Sequence, residues 1–362
     1  MKYYRLTALL PAVALLFSLA ACELGADDPT GAPSQEAAAS VSPTREPSAG
    51  PDGTPGPSGG GQPDIRLAVL SGPTGIGAAK LLSDADSGSG GLHAGYETHI
   101  YTDNSELVAR LTTGEIDIAT MASNVAVSLY NRTGGDVKII AAGTLGVLHI
   151  LEGQGGTEIH SVADLAGKTI WSAGQGANPE YILRHLLQES GLEVGVDVEV
   201  VFADASEIQT KLLSGSIQYA MLPVPAATAA IARGEGKVRA AIDVTEAWDA
   251  LQGGSRLIMT AVVARAGFVE EHPELVDAFL ADYEESISFV NSNIDAAAEL
   301  VAGYGIAPNA AIARQAIPQC HLAFISGSDM MSALSDYFLT LYAIDPASIG
   351  GSVPDDGIYY IQ

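Results

Sequence analysis

The sequence predicts an α/β fold made of two similar lobes, and three observations support that prediction. The chain repeats itself at an offset of 101 residues, because residues 101–120 align without a gap with residues 202–221. Seven of the seventeen aligned pairs over 103–119 are identical. Each copy also alternates short apolar runs with helical patterns. Two copies of one supersecondary unit predict two lobes with a ligand crevice between them.

Both copies contain the same predicted elements in the same order. The strands of the first copy are predicted over 65–70, 97–101, 116–121 and 137–142. Their counterparts are predicted over 169–171, 198–202, 217–221 and 238–242. A helix follows each of the first three strands, and the spacing of Ile76, Ala79 and Leu82 is typical of a buried helical face. Strands that alternate with helices predict a mainly parallel sheet covered on both faces.

The loops after the carboxyl ends of such strands form the ligand crevice of open α/β sheets. We therefore expect ligand contacts from the first copy at Gly72, Pro73, Thr74, Gly75, Ser123 and Asn124. The corresponding loops of the second copy contribute Gln175, Gly176, Asn178 and Pro223. Thr144 and Trp248 complete the predicted set.

Two of these patterns have a structural alternative. The glycine-rich turn can present backbone N–H groups to a ligand, or it can be a tight turn in which Thr74 caps the helix. It is not a nucleotide-binding P-loop, because Ala78 stands where a lysine is required. The pairs Asp103/Glu106 and Asp204/Glu207 have the spacing of acid–base carboxylates and also of capping boxes, and their repetition favours capping.

No catalytic site and no metal site is predicted. The sequence contains no G-x-S-x-G motif, and its seven histidines include no pair at helical ligand spacing. Cys320 lies in an apolar run, which favours a buried inert thiol over a reactive one. We therefore expect a binding protein without catalytic residues, cofactor or metal. The crevice loops lack lysine, arginine and histidine, which favours a neutral or weakly cationic small molecule.

The first 63 residues are predicted to direct and tether the chain. Residues 1–21 have the basic start and apolar stretch of a secretory signal, and they end before Cys22 in a Leu-Ala-Ala-Cys sequence. That ending resembles the lipobox of bacterial lipoproteins, which implies lipidation at Cys22; an uncleaved anchor or a plain secretory signal is the alternative. Residues 22–63 are rich in Pro, Gly, Ser and Ala, which predicts a disordered tether. The protein is then expected on the extracytoplasmic face of the cell membrane.

The charge of the chain excludes one class of partner. The sequence has 17 basic and 43 acidic residues and a formal net charge of −26. Loss of Lys2 and Arg5 with the signal leaves 15 basic residues and a charge of −28. A field of this sign repels nucleic acid and disfavours binding to anionic lipid surfaces.

Several phrases of the sequence resemble a known family. These are LSGPTGIGAAKLL, LTTGEIDIATMASNVAVSLYN, SVADLAGKTIWSAGQGANPEYIL and AMLPVPAAT. Together with the lipobox and the tether, they resemble the substrate-binding lipoproteins of bacterial ABC importers, in the nitrate/sulfonate/taurine and thiamine-precursor binding class. The resemblance covers residues 64–362.

The resemblance implies a type II periplasmic-binding-protein fold, with two α/β lobes joined by a two-strand hinge. Lobe 1 would comprise 64–143 plus 259–362, and lobe 2 would comprise 144–258. It also implies a monomer that closes on a small solute and meets an ABC permease and its ATPase. Two alternatives remain: an enzyme of the same fold, of the pyrimidine-precursor or menaquinone-pathway type, and a membrane-tethered ligand sensor.

Overall fold

The computed structural model describes residues 64–88, 91–251 and 255–361. The predicted signal over 1–21, the tether over 22–63 and the lipidation site Cys22 therefore lie outside the described residues. Within the part of the chain that is described, no helix combines the length and the hydropathy that a membrane crossing requires.

Eleven strands and twelve α-helices make up the described chain. The strands are β1 (Ile65–Leu70), β2 (Tyr96–Tyr101), β3 (Ile118–Ala122), β4 (Val137–Thr144), β5 (Leu148–Glu152), β6 (Thr169–Ser172), β7 (Glu199–Phe202), β8 (Tyr219–Pro223), β9 (Arg239–Asp243), β10 (Thr260–Arg265) and β11 (Leu322–Ile325). The helices are α1 (Pro73–Ser87), α2 (Asn104–Thr113), α3 (Ser123–Thr133), α4 (Asn178–Glu189), α5 (Ala205–Leu213), α6 (Ala226–Arg233), α7 (Val244–Asp249), α8 (Ala266–Glu271), α9 (Pro273–Ser292), α10 (Ile294–Gly303), α11 (Ala310–Ala316) and α12 (Gly327–Ile344).

The strands form two sheets with matching topology. The six-stranded sheet has the order β11-β4-β10-β3-β1-β2, and the five-stranded sheet has the order β7-β6-β8-β5-β9. The two orders correspond strand by strand, apart from the added edge strand β11. Equivalent elements also keep the offset of the sequence repeat, since α2 begins at Asn104 and α5 at Ala205. The predicted α/β fold with two similar halves is confirmed.

The prediction of mainly parallel sheets is confirmed for the direction of the repeated strands, since β1 to β4 run one way in their sheet and β6 to β9 run one way in theirs, but most neighbouring pairs are not parallel. Pairs β1–β2, β1–β3, β6–β7 and β6–β8 are parallel, but the other five pairs are antiparallel. The reason is that each sheet accepts a strand from elsewhere in the chain. β10 inserts between β3 and β4, and β5 inserts between β8 and β9. Both inserted strands run against their neighbours.

The acidic pairs lie at the starts of α2 and α5, but only one of their four carboxylates caps a helix. The Asp103 carboxylate accepts a hydrogen bond from the Ser105 N–H at 2.6 Å and so caps α2. Glu106 does not complete a capping box, because its carboxylate pairs with Arg110 one turn later at 3.0 Å. Asp204 is the N-cap residue of α5 but makes no side-chain capping bond. The capping interpretation is therefore confirmed for Asp103 alone.

The helical pattern predicted from Pro273 is confirmed as α9, which packs against α1. Phe279 and Tyr283 are buried on its inner face, and their rings stack with centroids 5.5 Å apart. Ser286 joins the two helices, because its hydroxyl donates to the Gly77 carbonyl at 2.7 Å and accepts from the Leu81 N–H at 3.1 Å. The bonds of Ser286 hold α9 against α1, the helix that follows β1.

Cys320 is a free, fully buried cysteine, as predicted. Burial raises the pKa of its thiol to about 12, so almost no reactive thiolate is present at pH 8. We expect the folded full chain carrying Cys22→Ser to resist modification by a chromogenic disulfide reagent and to react with one equivalent after unfolding in denaturant. Rapid modification of the native variant would contradict the buried position of Cys320.

Candidate functional site

Loops from both sheets meet at Met259, the residue before β10. The Met259 carbonyl accepts hydrogen bonds from the Ser123 N–H at 3.1 Å and from Asn178 Nδ2 at 2.8 Å. The Met259 N–H donates to the Thr144 carbonyl at 2.9 Å. Ser123 begins α3 after a strand of the six-stranded sheet, and Asn178 begins α4 after a strand of the five-stranded sheet. The crevice ends of the two sheets therefore converge at this point.

Asn178 is the principal link between the two sheets. Its amide nitrogen also donates to Ser123 Oγ at 3.0 Å, and its amide oxygen accepts from the Tyr337 hydroxyl at 3.1 Å. Ser123 Oγ donates in turn to the Ile258 carbonyl at 2.5 Å. Asn178, Ser123 and Tyr337 are all fully buried. In this conformation, the Ser123 and Asn178 side chains are committed to protein contacts.

Asn124 makes a second contact between the sheets. Its Nδ2 donates to the Gly176 carbonyl at 3.3 Å and to the Ser348 carbonyl at 3.2 Å. Gly176 is exposed, whereas Asn124 is buried. The loop after β6 is thus attached to the start of α3 by a side-chain amide.

In the glycine-rich turn after β1, the Thr74 side chain makes its hydrogen bond to the strand that precedes it. Thr74 does not cap α1, because Gly72 is the N-cap residue and Thr74 Oγ1 donates backwards to the Leu70 carbonyl at 2.6 Å. Gly72 has a φ of 102°, a backbone conformation that residues other than glycine rarely adopt. This corrects the capping alternative and leaves the Thr74 hydroxyl committed to the backbone.

Five predicted residues form two separate sets of hydrogen bonds. Ser123, Asn178 and Thr144 are connected through Met259, and Asn124 is bonded to Gly176. In the described part of the chain, the other seven predicted residues belong to neither set. They are Trp248 on α7 and, at the ends of β1, β6 and β8, Gly72, Pro73, Thr74, Gly75, Gln175 and Pro223.

Trp248 does not edge an open surface in this structure. Its side chain is 0% exposed, and its indole N–H donates to the Ser255 carbonyl. The ring packs edge-on against Tyr337, with centroids 6.2 Å apart, and against His185 at 5.3 Å. The Trp248 ring points from α7 into the core. It therefore packs against Tyr337, which is a hydrogen-bond partner of Asn178.

Three residues of this region were missed by the sequence analysis. Met259 immediately precedes the inserted strand β10, Thr260 is the first residue of that strand, and Tyr337 lies on α12. Thr260 is a single polar residue within the apolar run 257–264, which is a signal that could have been used. No sequence pattern distinguishes Tyr337 in the same way, because the residues around it have the pattern of an ordinary amphipathic helix.

The polar groups at the meeting point are uncharged. The buried charged residues of the described chain lie elsewhere and have partners: Asp117 with Arg66 and Arg265, Glu152 with Arg239, and Asp282 with His93. Over residues 64–88, 91–251 and 255–361, no group of three or more potential metal-ligating side chains comes together. The arrangement can therefore offer hydrogen bonds, but it offers no buried charge to a ligand.

Two sheets of matching strand order whose loops converge define the periplasmic-binding-protein fold. The structure is similar to an ABC transporter protein from Parabacteroides distasonis, with a TM-score of 0.69 and 22% identity over 83% of this chain and 99% of that chain. It is also similar to the periplasmic aliphatic sulphonate binding protein SsuA from Escherichia coli, with a TM-score of 0.64 and 17% identity over 81% and 91% of the two chains. These likenesses establish the fold.

The sequence establishes the family. Residues 97–297 match the family described as NMT1/THI5 like, and the chain belongs to that family. A candidate binding protein of Brucella abortus (strain 2308) is 26% identical over 208 residues, which is 58% of this chain. The match spans 61% of the length of that curated relative.

Proposed function

We propose that this protein is an extracytoplasmic solute-binding protein that captures a small molecule between two lobes and delivers it to an ABC importer. The observation that carries the proposal is the meeting of both sheets at Met259, which receives Asn178 Nδ2 at 2.8 Å and the Ser123 N–H at 3.1 Å. Ligands of open α/β sheets bind at such loop ends. The similarity of the fold to SsuA, a sulphonate binding protein, supports the same function.

The two lobes of the proposal follow the two sheets. Lobe 1 corresponds to 64–143 plus 259–362 and lobe 2 to 144–258, with crossings near 143–146 and in the apolar run 257–263. Thr144 ends β4 of the six-stranded sheet, so in this proposal the boundary of lobe 1 moves one residue later, to Thr144. Gly146 suits the first crossing because a Cβ there would collide with the Thr245 side chain. His321 Nδ1 lies 2.6 Å from the Gly146 carbonyl and supports the same segment.

Capture works by hinge closure. The ligand shifts the population towards a closed form by interacting better with that form than with the open one. Ligand contacts are assigned to Asn124, Thr144 and Gly176, and to the crevice loops at Gly72, Pro73, Thr74, Gly75, Gln175 and Pro223. Ser123, Asn178 and Trp248 are assigned a different role in the site. Their contacts stabilise the closed form.

Anchoring and delivery complete the proposal. Lipid on Cys22 and a tether over 22–63 would hold a monomer at the extracytoplasmic face of the cell membrane, within reach of an ABC permease and its ATPase. The lipobox sequence Leu-Ala-Ala-Cys supports the anchor, and a fold neighbour from Parabacteroides distasonis is an ABC transporter protein.

The proposal is tested by native mass spectrometry of the full chain, followed by thermal denaturation with the recovered compounds. We expect a co-purifying small molecule, and we expect it to stabilise the chain by about 2.7 kcal/mol at a hundred times its dissociation constant. A protein that carries no solute and gains no stability from cell metabolites would contradict solute binding. Incubation separates this function from catalysis, because a binding protein returns the compound unchanged.

A further inference from the structure

After α12 the chain runs back along α3 to β4, in residues 345–360, which are here called the strap. Near its far end, the Tyr360 N–H donates to the Ile139 carbonyl of β4 at 2.9 Å. Ile349 and Ile358 of the strap are both fully buried. The strap is therefore packed into the fold at both ends and is not a loose connection.

The strap fits closely against α3 at Gly350. Gly350 has a φ of 80°, and a Cβ at this position would lie 3.1 Å from Ser128 Cα and 3.3 Å from Asn131 Cβ. A glycine is thus favoured both by the backbone conformation and by the close approach of α3. Asn131 joins the same two segments, because its Nδ2 donates to the carbonyls of Ile349 at 2.7 Å and Ser352 at 2.6 Å. The strap is therefore fixed on α3 at the residues on either side of Gly350.

The strap places a backbone acceptor at the crevice. Ser348, in its first turn, is 2% exposed, and the Ser348 carbonyl accepts from Asn124 Nδ2 at 3.2 Å. The same nitrogen donates to the Gly176 carbonyl at 3.3 Å. Gly176 follows β6 of the five-stranded sheet, whereas Asn124 lies in the first turn of α3, after β3 of the six-stranded sheet. The Asn124 amide therefore has one contact within its own half of the molecule and one contact across to the other half.

The Ser348 carbonyl determines which way the Asn124 amide points. A carbonyl oxygen only accepts hydrogen bonds, so it pairs with the nitrogen of the amide and not with its oxygen. Rotation about the last side-chain torsion of asparagine is otherwise soft. Because the Ser348 contact lies within one half of the molecule, it does not require the two halves to be closed, whereas the Gly176 contact does.

We propose that the strap is a positioning element for solute capture and that it acts through the Asn124 amide. It holds Nδ2 towards the Gly176 loop in the open protein, so that the contact between the lobes forms on closure without reorientation of the side chain. A side chain that is fixed beforehand avoids the entropy loss of ordering it on binding. Gly350 and Asn131 are positioning residues, because they act on Asn124 through the Ser348 carbonyl. The inference rests on the proposed solute-binding function and adds to it two residues outside the crevice.

The test compares Gly350→Ala with the matched control Gly351→Ala in the full chain. Both variants place alanine at a positive φ, 80° and 95°, where it is strained. Only the Gly350 substitution also collides with α3, since a Cβ at Gly351 meets no atom within 4 Å. Both variants should therefore melt below the wild type, but only Gly350→Ala should displace the strap and the Ser348 carbonyl. Asn131→Ala removes the two hydrogen bonds from α3 to the strap and serves as the second variant if Gly350→Ala fails to fold.

Nuclear magnetic resonance measures the state of the amide directly. The side-chain amide signals of Asn124 are assigned in the isotopically labelled, unliganded chain as those that disappear in Asn124→Ala. They should shift in Gly350→Ala and in Asn131→Ala and should keep the wild-type position in Gly351→Ala.

Titration measures the effect on capture. The probe is the compound that co-purifies with the wild type, added back to chains from which it has been removed. Gly350→Ala and Asn131→Ala should bind it roughly tenfold more weakly, which is the effect of about one lost hydrogen bond, and Gly351→Ala should stay within about twofold of the wild type.

The outcomes separate this inference from the function on which it rests. Unchanged Asn124 signals in Gly350→Ala and Asn131→Ala overturn the role of the strap, and so do equal shifts in Gly351→Ala, because backbone strain alone would then explain them. Shifted signals with unchanged affinity overturn it as well, since the orientation of the amide would not affect capture. In all three cases a wild type that binds its compound leaves solute capture standing. A wild type that carries no compound removes both proposals.

Discussion

Asp117→Ala is expected to destabilise the protein by about 3 kcal/mol, because it leaves two arginines without their buried partner. Asp117 is 3% exposed, and its carboxylate receives hydrogen bonds from Arg66 at 2.5 and 2.8 Å and from Arg265 at 2.6 Å. The Arg66 backbone N–H donates to the same carboxylate at 3.1 Å. The side chain thus joins β1, β3 and β10. Urea denaturation of the full chain measures the change.

The same carboxylate gives the stability a pH dependence of known sign. Burial by itself raises the pKa of Asp117, but the hydrogen bonds from Arg66 and Arg265 outweigh it and leave that pKa below its ordinary value. A group whose pKa is lower in the folded state stabilises the fold above its unfolded pKa, near 4, and loses that contribution as the pH falls through the folded pKa. Asp117→Asn should therefore show a smaller loss of unfolding free energy between pH 6 and pH 3 than the wild type.

Glu106→Ala provides the control for both measurements. Glu106 also pairs with an arginine, Arg110, at 3.0 Å, but the pair lies on the surface of α2. Exposed pairs of this kind contribute about 0.3–0.5 kcal/mol. If Asp117→Ala and Glu106→Ala lowered the unfolding free energy equally, the buried network would have no special role in joining the three strands.

Apart from the family resemblance, the residues themselves predict the fold only to the level of its repeated unit. The aligned residues 103–119 and 204–220 contain the helix, glycine turn and buried strand that both copies share, and the structure keeps their offset. The insertion of β10 and β5 could not be predicted in the same way. An apolar strand such as β10 has no local pattern that fixes its neighbours or its direction, because both depend on where the chain crosses between the sheets.

The residues of the candidate site also fall into two groups, those that the repeat predicts and those that only the folded structure reveals. Ser123, Asn124 and Asn178 follow strand ends within the repeat, so topology alone directs attention to them. Thr260 and Tyr337 reach the same region from distant parts of the chain, and only the folded structure brings them there. Sequence reasoning also could not distinguish a free amide from one already bonded. Asn178 is engaged through both amide atoms, whereas Asn124 retains an unpaired oxygen.

Asn178→Ala is expected to lower the unfolding free energy by about 2–4 kcal/mol, because three buried groups each lose a hydrogen bond to the Asn178 amide. These groups are Ser123 Oγ, the Met259 carbonyl and the Tyr337 hydroxyl, at 3.0, 2.8 and 3.1 Å from the amide. Gln175→Ala, in the exposed part of the same loop, should change stability by less than about 0.5 kcal/mol. Denaturant titration of the unliganded full chain measures both variants.

A double-mutant cycle with Tyr337→Phe isolates the bond between α4 and α12. Both single variants remove the same hydrogen bond, so the double variant should be less destabilised than the sum of the two, by about 1 kcal/mol. Additive losses would mean that Tyr337 and Asn178 stabilise the protein independently of one another. If Asn178→Ala kept full stability and only weakened solute binding, Asn178 would be a ligand contact instead. The sheets would then have to be held together by Asn124 and the crossing segments, because the amide of Asn178 would be free to serve the solute.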